Sequence, residues 1–207
     1  MIDVRDIIKA PWTPCNLDGY DTYATLPGTG VIYVTDNNPE FLSGHMRVRG
    51  EKNGSYPHFY TEIIDNLFGK DKKTIEVCSY KIKGTKNLDT VDINGDYDPD
   101  FMDDGQVLAQ IPSEKYTRWR CDPPYNAISA KKMYNTDVPS PIRLLKAGAR
   151  VIKPKSLMFL LLGPVNYQWK PVGVKRIGLI TMSVVPNNEI RALNIYRKME
   201  DGFSKGK

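Results

Sequence analysis

Histidine and cysteine are scarce in this chain: two histidines and three cysteines occur in 207 residues. The cysteines, Cys15, Cys78 and Cys121, are odd in number and widely spaced, and no two of them form a Cys-x-x-Cys pair. That argues against a disulfide framework and leaves too few ligands for a zinc site. Reduced, buried cysteines in an intracellular protein are expected instead. Long apolar runs are also missing. The longest, residues 157–162, is far too short to cross a bilayer and reads as a buried strand of a parallel sheet. The start, residues 1–6, has no basic stretch followed by an apolar one, so no secretory leader and no membrane partner are expected. No Gly-x-x-x-x-Gly-Lys phosphate loop occurs, which counts against a phosphate-loop nucleotide-binding protein. Internal repeats and low-complexity segments are absent too.

What is present is ordinary for a globular protein: 41% hydrophobic and 26% charged residues, in a length that fits one domain with a small appendage. The net charge of +5 favours an anionic partner. Residues 1–55 are dense in Pro, Gly and Asn around one clear strand at 31–35. They read as an irregular β-containing arm that could contact substrate or a second copy, through Trp12, Tyr20, Tyr23 or Arg47. Residues 56–200 read as an α/β domain, and 201–207 as a short basic tail.

Within the α/β part, Phe59, Ile63, Ile64, Leu67 and Phe68 recur at helical spacing, with Gly69 as the stop. Strands are expected at 74–78, 88–92, 106–109, 116–121 and 157–162, with 149–153 leading into the last. A short loop-helix-strand crossing is expected between Ser79 and Asp92. Helices are expected at 126–134 and 140–146. Residues 176–185 and 190–197 flank Pro186-Asn187-Asn188-Glu189, a hairpin signature.

The densest chemistry lies in Cys121-Asp122-Pro123-Pro124-Tyr125-Asn126. Two prolines fix two φ angles, remove two backbone donors and push their predecessors toward extended geometry. The result is a stiff corner with a carboxylate, free carbonyls and an aromatic ring. Those groups suit capture of a planar amine: carboxylate and carbonyl accept its N–H bonds, and the phenol ring stacks on the heterocycle.

A strand, Asp-Pro-Pro-Tyr, then a helix resembles motif IV of the S-adenosylmethionine-dependent amino-methyltransferases, which methylate exocyclic amines of bases. The resemblance covers roughly residues 56–200. It implies a Rossmann-like class I methyltransferase fold, α/β and mostly parallel, closed by an antiparallel hairpin. It implies S-adenosylmethionine as cofactor, with Glu76, Cys78 and Ser79 at the end of the first strand, Asp92 and Ile93 at the ribose, and Asp104 and Gly105 at the adenine amine. Asp122, Pro123, Pro124 and Tyr125 are the implied catalytic corner. Asn126, Lys131, Lys132 and Arg143 flank it as candidate nucleic-acid contacts, with DNA as the implied partner, and Lys146 and Arg150 lie near them. No metal is implied. The chain departs from the family after the first strand: Ser79-Tyr80-Lys81-Ile82-Lys83-Gly84 stands where glycines are expected. Alternatives on the same fold are an RNA or protein amide methyltransferase, or a catalytically degenerate methyltransferase-like binding subunit.

Overall fold

The computed structural model describes residues 3–9, 22–26, 30–35, 38–49, 60–70, 72–163, 170–171, 173–185 and 189–200. Trp12, Cys15, Tyr20, His58, Phe59 and the basic tail lie outside these, as does the side chain of Tyr23. Two compact units are formed, Met1–Asp71 with Ile177–Asn194, and Lys72–Arg176 with Ile195–Lys207. They cut the chain at points other than the spans 1–55 and 56–200, because the helix after residue 59 and most of the closing hairpin group with the N-terminal strands.

The first unit is built on strands β1 (Thr22–Leu26), β2 (Gly30–Thr35), β3 (Asn38–Arg49), β9 (Val174–Val185) and β10 (Glu189–Lys198), in the order β1-β2-β3-β9-β10. β1, β2 and β3 form an antiparallel ladder, and β3 runs parallel to β9. Ile32, Val34, Leu42, Met46, Ile180 and Met182 are buried on one face, while Tyr33, Ser43, His45, Arg47, Thr181 and Ser183 face outward, the alternation of a half-solvated sheet. Helix α1 (Tyr60–Phe68) buries Tyr60, Ile63, Ile64, Leu67 and Phe68, and ends at Gly69.

The second unit carries β4 (Thr74–Val77), β5 (Leu88–Asp92), β6 (Phe101–Met102), β7 (Tyr116–Cys121) and β8 (Ile152–Leu162), with the order β6-β5-β4-β7-β8-β10. The pairs β5/β6, β4/β5, β4/β7 and β7/β8 are all parallel. Helices α2 (Ala127–Tyr134) and α3 (Pro141–Val151) connect β7 to β8. Ile75, Val77, Val91, Trp119, Leu144, Leu145, Met158 and Leu160 form the centre of its core. Burying each large apolar side chain contributes roughly 1.5–3 kcal/mol. Among the described residues no helix is long and apolar enough to cross a membrane.

Four expectations are corrected. Residues 106–109 form a turn, and the third strand is Phe101–Met102. Carboxylates decide this: Asp104 accepts the Gln106 N–H and Asp103 accepts the Gln110 N–H, each at 2.8 Å, which bends the segment and buries Leu108. The crossing from β4 to β5 contains no helix; Ile82 N–H bonds to Ser79 C=O at 3.0 Å, and Thr85 and Leu88 close a tight turn. Helix α3 continues through 149–151, where a strand lead-in was expected. Residues 1–55, expected to hold one clear strand, carry three, β1, β2 and β3.

Candidate active site

Parallel strands place their carboxyl ends on one edge, and strand order reverses between β4 and β7, so a crevice forms there. Cys78 follows β4, Asp92 ends β5, Asp103 follows β6 and Asp122 follows β7. A cavity of about 410 Å³ opens at this edge, within the size range of small-molecule sites. Cys78, Val91, Asp92 and Ile93 line it from β4 and β5, and Asp103, Asp104, Gly105 and Gln106 from the next turn. Pro124 of the proline corner closes one side, with Tyr134, Asp137, Arg143 and Leu144 from the helical connection.

Asp92 is the best-defined of these groups. It is 2% exposed, and its two carboxylate oxygens accept the Tyr80 and Asn94 backbone N–H groups, each at 2.9 Å. Burial raises its pKa, against the lowering effect of those amide bonds. The Ile93 amide bonds the same carboxylate, and its remaining acceptor capacity is what a ligand hydroxyl can use.

The loop after β4 answers the question of the missing glycines. Cys78 and Tyr80 have φ of 58° and 50°, the left-handed region that glycine enters freely and that costs other residues about 1–2 kcal/mol. Here the conformation is held by bonds instead: Ser79 N–H to Val91 C=O at 3.1 Å and Tyr80 N–H to Asp92. The Tyr80 ring turns onto Tyr97 (centroids 4.6 Å apart), and Tyr97 stands edge-on to Tyr134 at 6.1 Å. Lys81 is exposed, with its ammonium 5.3 Å from the Tyr80 ring centre. Neither Tyr80 nor Lys81 is among the residues that line the cavity.

The turn after β6 is fastened at both ends. Gln106 Oε1 accepts the Ser140 N–H at 2.9 Å, tying the turn to the start of α3. The Arg150 guanidinium donates to the Leu108 and Ile111 carbonyls at 2.6 and 2.8 Å. Gly105 passes so near β4 that a Cβ there would lie 2.5 Å from Val77 Cγ1.

In the proline corner, Asp122 is half-buried, Pro123 is buried and Pro124 faces the cavity. Tyr125 lays its ring against Gly163 at the end of β8; a Cβ on Gly163 would stand 3.0 Å from Cδ2 of that ring. Asn126 caps α2, its side chain accepting the Ser129 N–H at 2.8 Å.

The structure therefore brings Cys78, Asp92, Ile93, Asp104, Gly105, Pro124 and Arg143 to one cavity, with Asp122, Pro123 and Tyr125 in the adjoining corner. Glu76 is not brought there. It is fully buried, and its carboxylate is 2.6 Å from Arg120 Nε, the residue in register with it on β7. Ser79 is fully buried, and its Oγ has no hydrogen-bond partner among the described residues. Lys131 and Lys132 are exposed in the last turn of α2.

Sequence reasoning missed Asp103, Gln106, Tyr134 and Asp137. Asp103 was legible as the neighbour of Asp104. Tyr134 carried one signal, an aromatic residue just before Asn135, which ends α2 in the left-handed region with φ 52°. Burial first, and then the charge of Asp92, push the Tyr134 phenol well above its ordinary pKa, so it lines the cavity as a neutral donor.

Strand order, the parallel pairing and the closing hairpin define a Rossmann-like class I methyltransferase fold. TrmN from Thermus thermophilus is similar in structure, with a TM-score of 0.50 and 11% identity over 71% of this chain. The match spans 50% of that protein, so this chain covers about half the length of TrmN. An S-adenosylmethionine-dependent methyltransferase from Methanosarcina mazei is matched at TM-score 0.41 and 11% identity, over 66% of this chain and 97% of that one. An rRNA methylase from Streptococcus thermophilus is matched at TM-score 0.36 and 7% identity, over 63% and 90% of the two chains. No protein-family model and no curated protein matches the sequence.

Proposed function

We propose that this chain is an S-adenosylmethionine-dependent methyltransferase acting on an exocyclic amine of a nucleic-acid base, with adenine N6 or cytosine N4 of DNA as the acceptor. One observation carries the reading: the carboxylate-lined cavity and the Asp122-Pro123-Pro124-Tyr125 corner adjoin at the same strand-end edge, sharing Pro124.

The cavity's residues fit the cofactor. Asp92, at the end of β5, offers its remaining acceptor capacity to the ribose hydroxyls. Asp103 and Asp104 offer carboxylates to an adenine amine, and Ile93, 46% exposed, offers an apolar face to its ring. When bound, the cofactor supplies an electrophilic methyl group on a sulfonium.

The protein's task is the acceptor. An aryl amine's lone pair is delocalised into its ring and is a weak nucleophile. Asp122 Oδ and the Pro123 carbonyl accept the two amine hydrogens and favour a pyramidal nitrogen with a localised lone pair. Such stabilisation is effective when the acceptors are held beforehand, and the two prolines do that. Holding both reactants in line supplies the other large contribution. The amine becomes acidic once methylated, so no strong base need act first. A base from a duplex must be extruded to reach the corner, where Tyr125 stacks on it. Lys131, Lys132 and Arg143 contact phosphates in this reading.

A second reading, a methyltransferase-like binding subunit, is favoured by Tyr80 and Lys81 in the loop where glycines are expected. The experiment separates the two. Protein is incubated with methyl-labelled S-adenosylmethionine and DNA, RNA or peptide, and the products are digested to nucleosides or residues and analysed by mass spectrometry. N6-methyladenine or N4-methylcytosine from DNA supports the first reading. Label in RNA or peptide moves the acceptor class, and cofactor binding without transfer to any acceptor favours the second reading.

A further inference from the structure

Two thiols stand where the cofactor loop meets the proline corner. Cys121 ends β7 directly before Asp122, and Cys78 follows β4 directly before Ser79. They are 43 residues apart in sequence, yet the Cys121 thiol donates to the Cys78 sulfur at 3.9 Å. Val77 is the register partner of Cys121, so Cys78 lies one step beyond it at the open end of the parallel pair. Both are free thiols. Cys78 is half-buried and lines the cavity, whereas Cys121 is fully buried.

We propose that Cys78 and Cys121 are a reversible redox pair, whose disulfide ties the loop after β4 to the proline corner and so governs cofactor binding in the cavity. The mass readout below stands alone, and only the control of binding rests on the cofactor reading. The oxidant is a peroxide. Cys78 sulfur, as thiolate, attacks one peroxide oxygen; an S–O bond forms, the O–O bond breaks, and the leaving hydroxide takes up the proton that Cys78 gave up, leaving as water. Cys121 sulfur then attacks the sulfenic sulfur; the S–S bond forms, the S–O bond breaks, and the thiol proton leaves with the hydroxide as a second water. The two thiols lose two electrons in total, and the peroxide gains them. A dithiol reductant reverses the step by exchange.

The order of attack follows from access. Cys78 faces the cavity, and Cys121 does not. Burial, followed by the neighbouring Cys78, holds the Cys121 thiol well above its ordinary pKa, which suits a resolving thiol and not the first nucleophile. The consequence follows from restraint. A disulfide brings the sulfurs from 3.9 Å to about 2.05 Å. Cys121 is held by β4 on one side and β8 on the other. Cys78 lies beyond the ladder in a left-handed bend, so the loop moves. Moving it pulls on the Ser79 and Tyr80 amides, which hold the loop to Val91 and Asp92.

The test uses full-length protein with Cys15→Ser, which removes the third thiol. Hydrogen peroxide is added, and the mass is read before and after a dithiol reductant. The expected result is loss of two hydrogens, a cross-linked Cys78–Cys121 peptide, and reversal on reduction. Cys121→Ser is expected to stop at a Cys78 sulfenic acid that dimedone captures, and Cys78→Ser to resist oxidation. Melting with and without S-adenosylmethionine is expected to show a shift in the reduced protein, none in the oxidised protein, and recovery on re-reduction. Two thiols that persist while Cys121→Ser forms the sulfenic acid overturn the pair. A disulfide that leaves the cofactor shift unchanged overturns its control of binding. If the reduced protein ignores the cofactor, the proposed function falls, and the mass readout alone decides the pair.

Discussion

Asp92 and Asp122 are two carboxylates at the ends of β5 and β7, the strands on either side of β4, in different surroundings. Asp92 is buried and anchored by two amides, so it shapes the loop as well as any ligand. Asp92→Ala is expected to weaken S-adenosylmethionine binding at least tenfold, about 1.4 kcal/mol, by calorimetric titration; unchanged affinity would remove Asp92 from the site. Tyr125 depends on a residue with no chemistry of its own. Gly163→Ala puts a methyl group against its ring and is expected to lower kcat several-fold with little change in cofactor Kd. Equal losses in both would place Tyr125 in cofactor binding. At this scale the sequence was most readable where a rare dipeptide constrains the backbone, as Pro123-Pro124 does. It was least readable where position comes from the tertiary fold, as for Tyr134 and Asp137. Glu76 shows the same limit: sequence places it one residue from the strand end, but the pleat turns it to Arg120 and away from the cavity.

Among the elements, the fully buried strands were legible because an unbroken apolar or aromatic run in a short span has few other uses. Residues 106–109 misled because Val107 and Leu108 look like a strand, whereas two upstream carboxylates and Arg150 fold them into a turn. α3 was read too short because 149–153 reads as the lead-in to the last strand; Gly148 lets the helix lie close on Trp119 and Met158. The turn makes a prediction. Arg150→Ala leaves the Leu108 and Ile111 carbonyls without their charged donor, a loss on the order of 2 kcal/mol. Faster amide exchange across 103–111 and a weaker cofactor response are expected, and exchange confined to α3 would contradict the clamp. At the other end of the sheet, the Tyr116 hydroxyl reaches past β4 to Asp89 at 2.6 Å. Burial, and then that carboxylate, push the Tyr116 phenol up to about 12 from an ordinary 10.0. The fold therefore favours the neutral phenol. Its stabilisation is full below pH 10 and is lost as pH rises through about 12. Ultraviolet titration is expected to show several late phenols and one fewer of them in Tyr116→Phe; an unchanged number in the variant would contradict this.

For the molecule as a whole, a net charge of +5, a class I methyltransferase fold and a carboxylate-lined cavity beside the proline corner agree with the proposed function. A ligand that binds only the folded state stabilises it by mass action. At about a hundredfold over Kd, S-adenosylmethionine is expected to contribute roughly 2.7 kcal/mol and to raise Tm on the order of 5–10 °C. The most direct measurement is single-turnover transfer of labelled methyl from saturating cofactor to a DNA oligonucleotide, with wild type and Asp122→Ala side by side. The account predicts label on a base amine in wild type and a loss of about a hundredfold or more in the variant, with cofactor affinity within about twofold of wild type. Transfer at equal rates by the two proteins, or no label on any base amine in wild type, would contradict it.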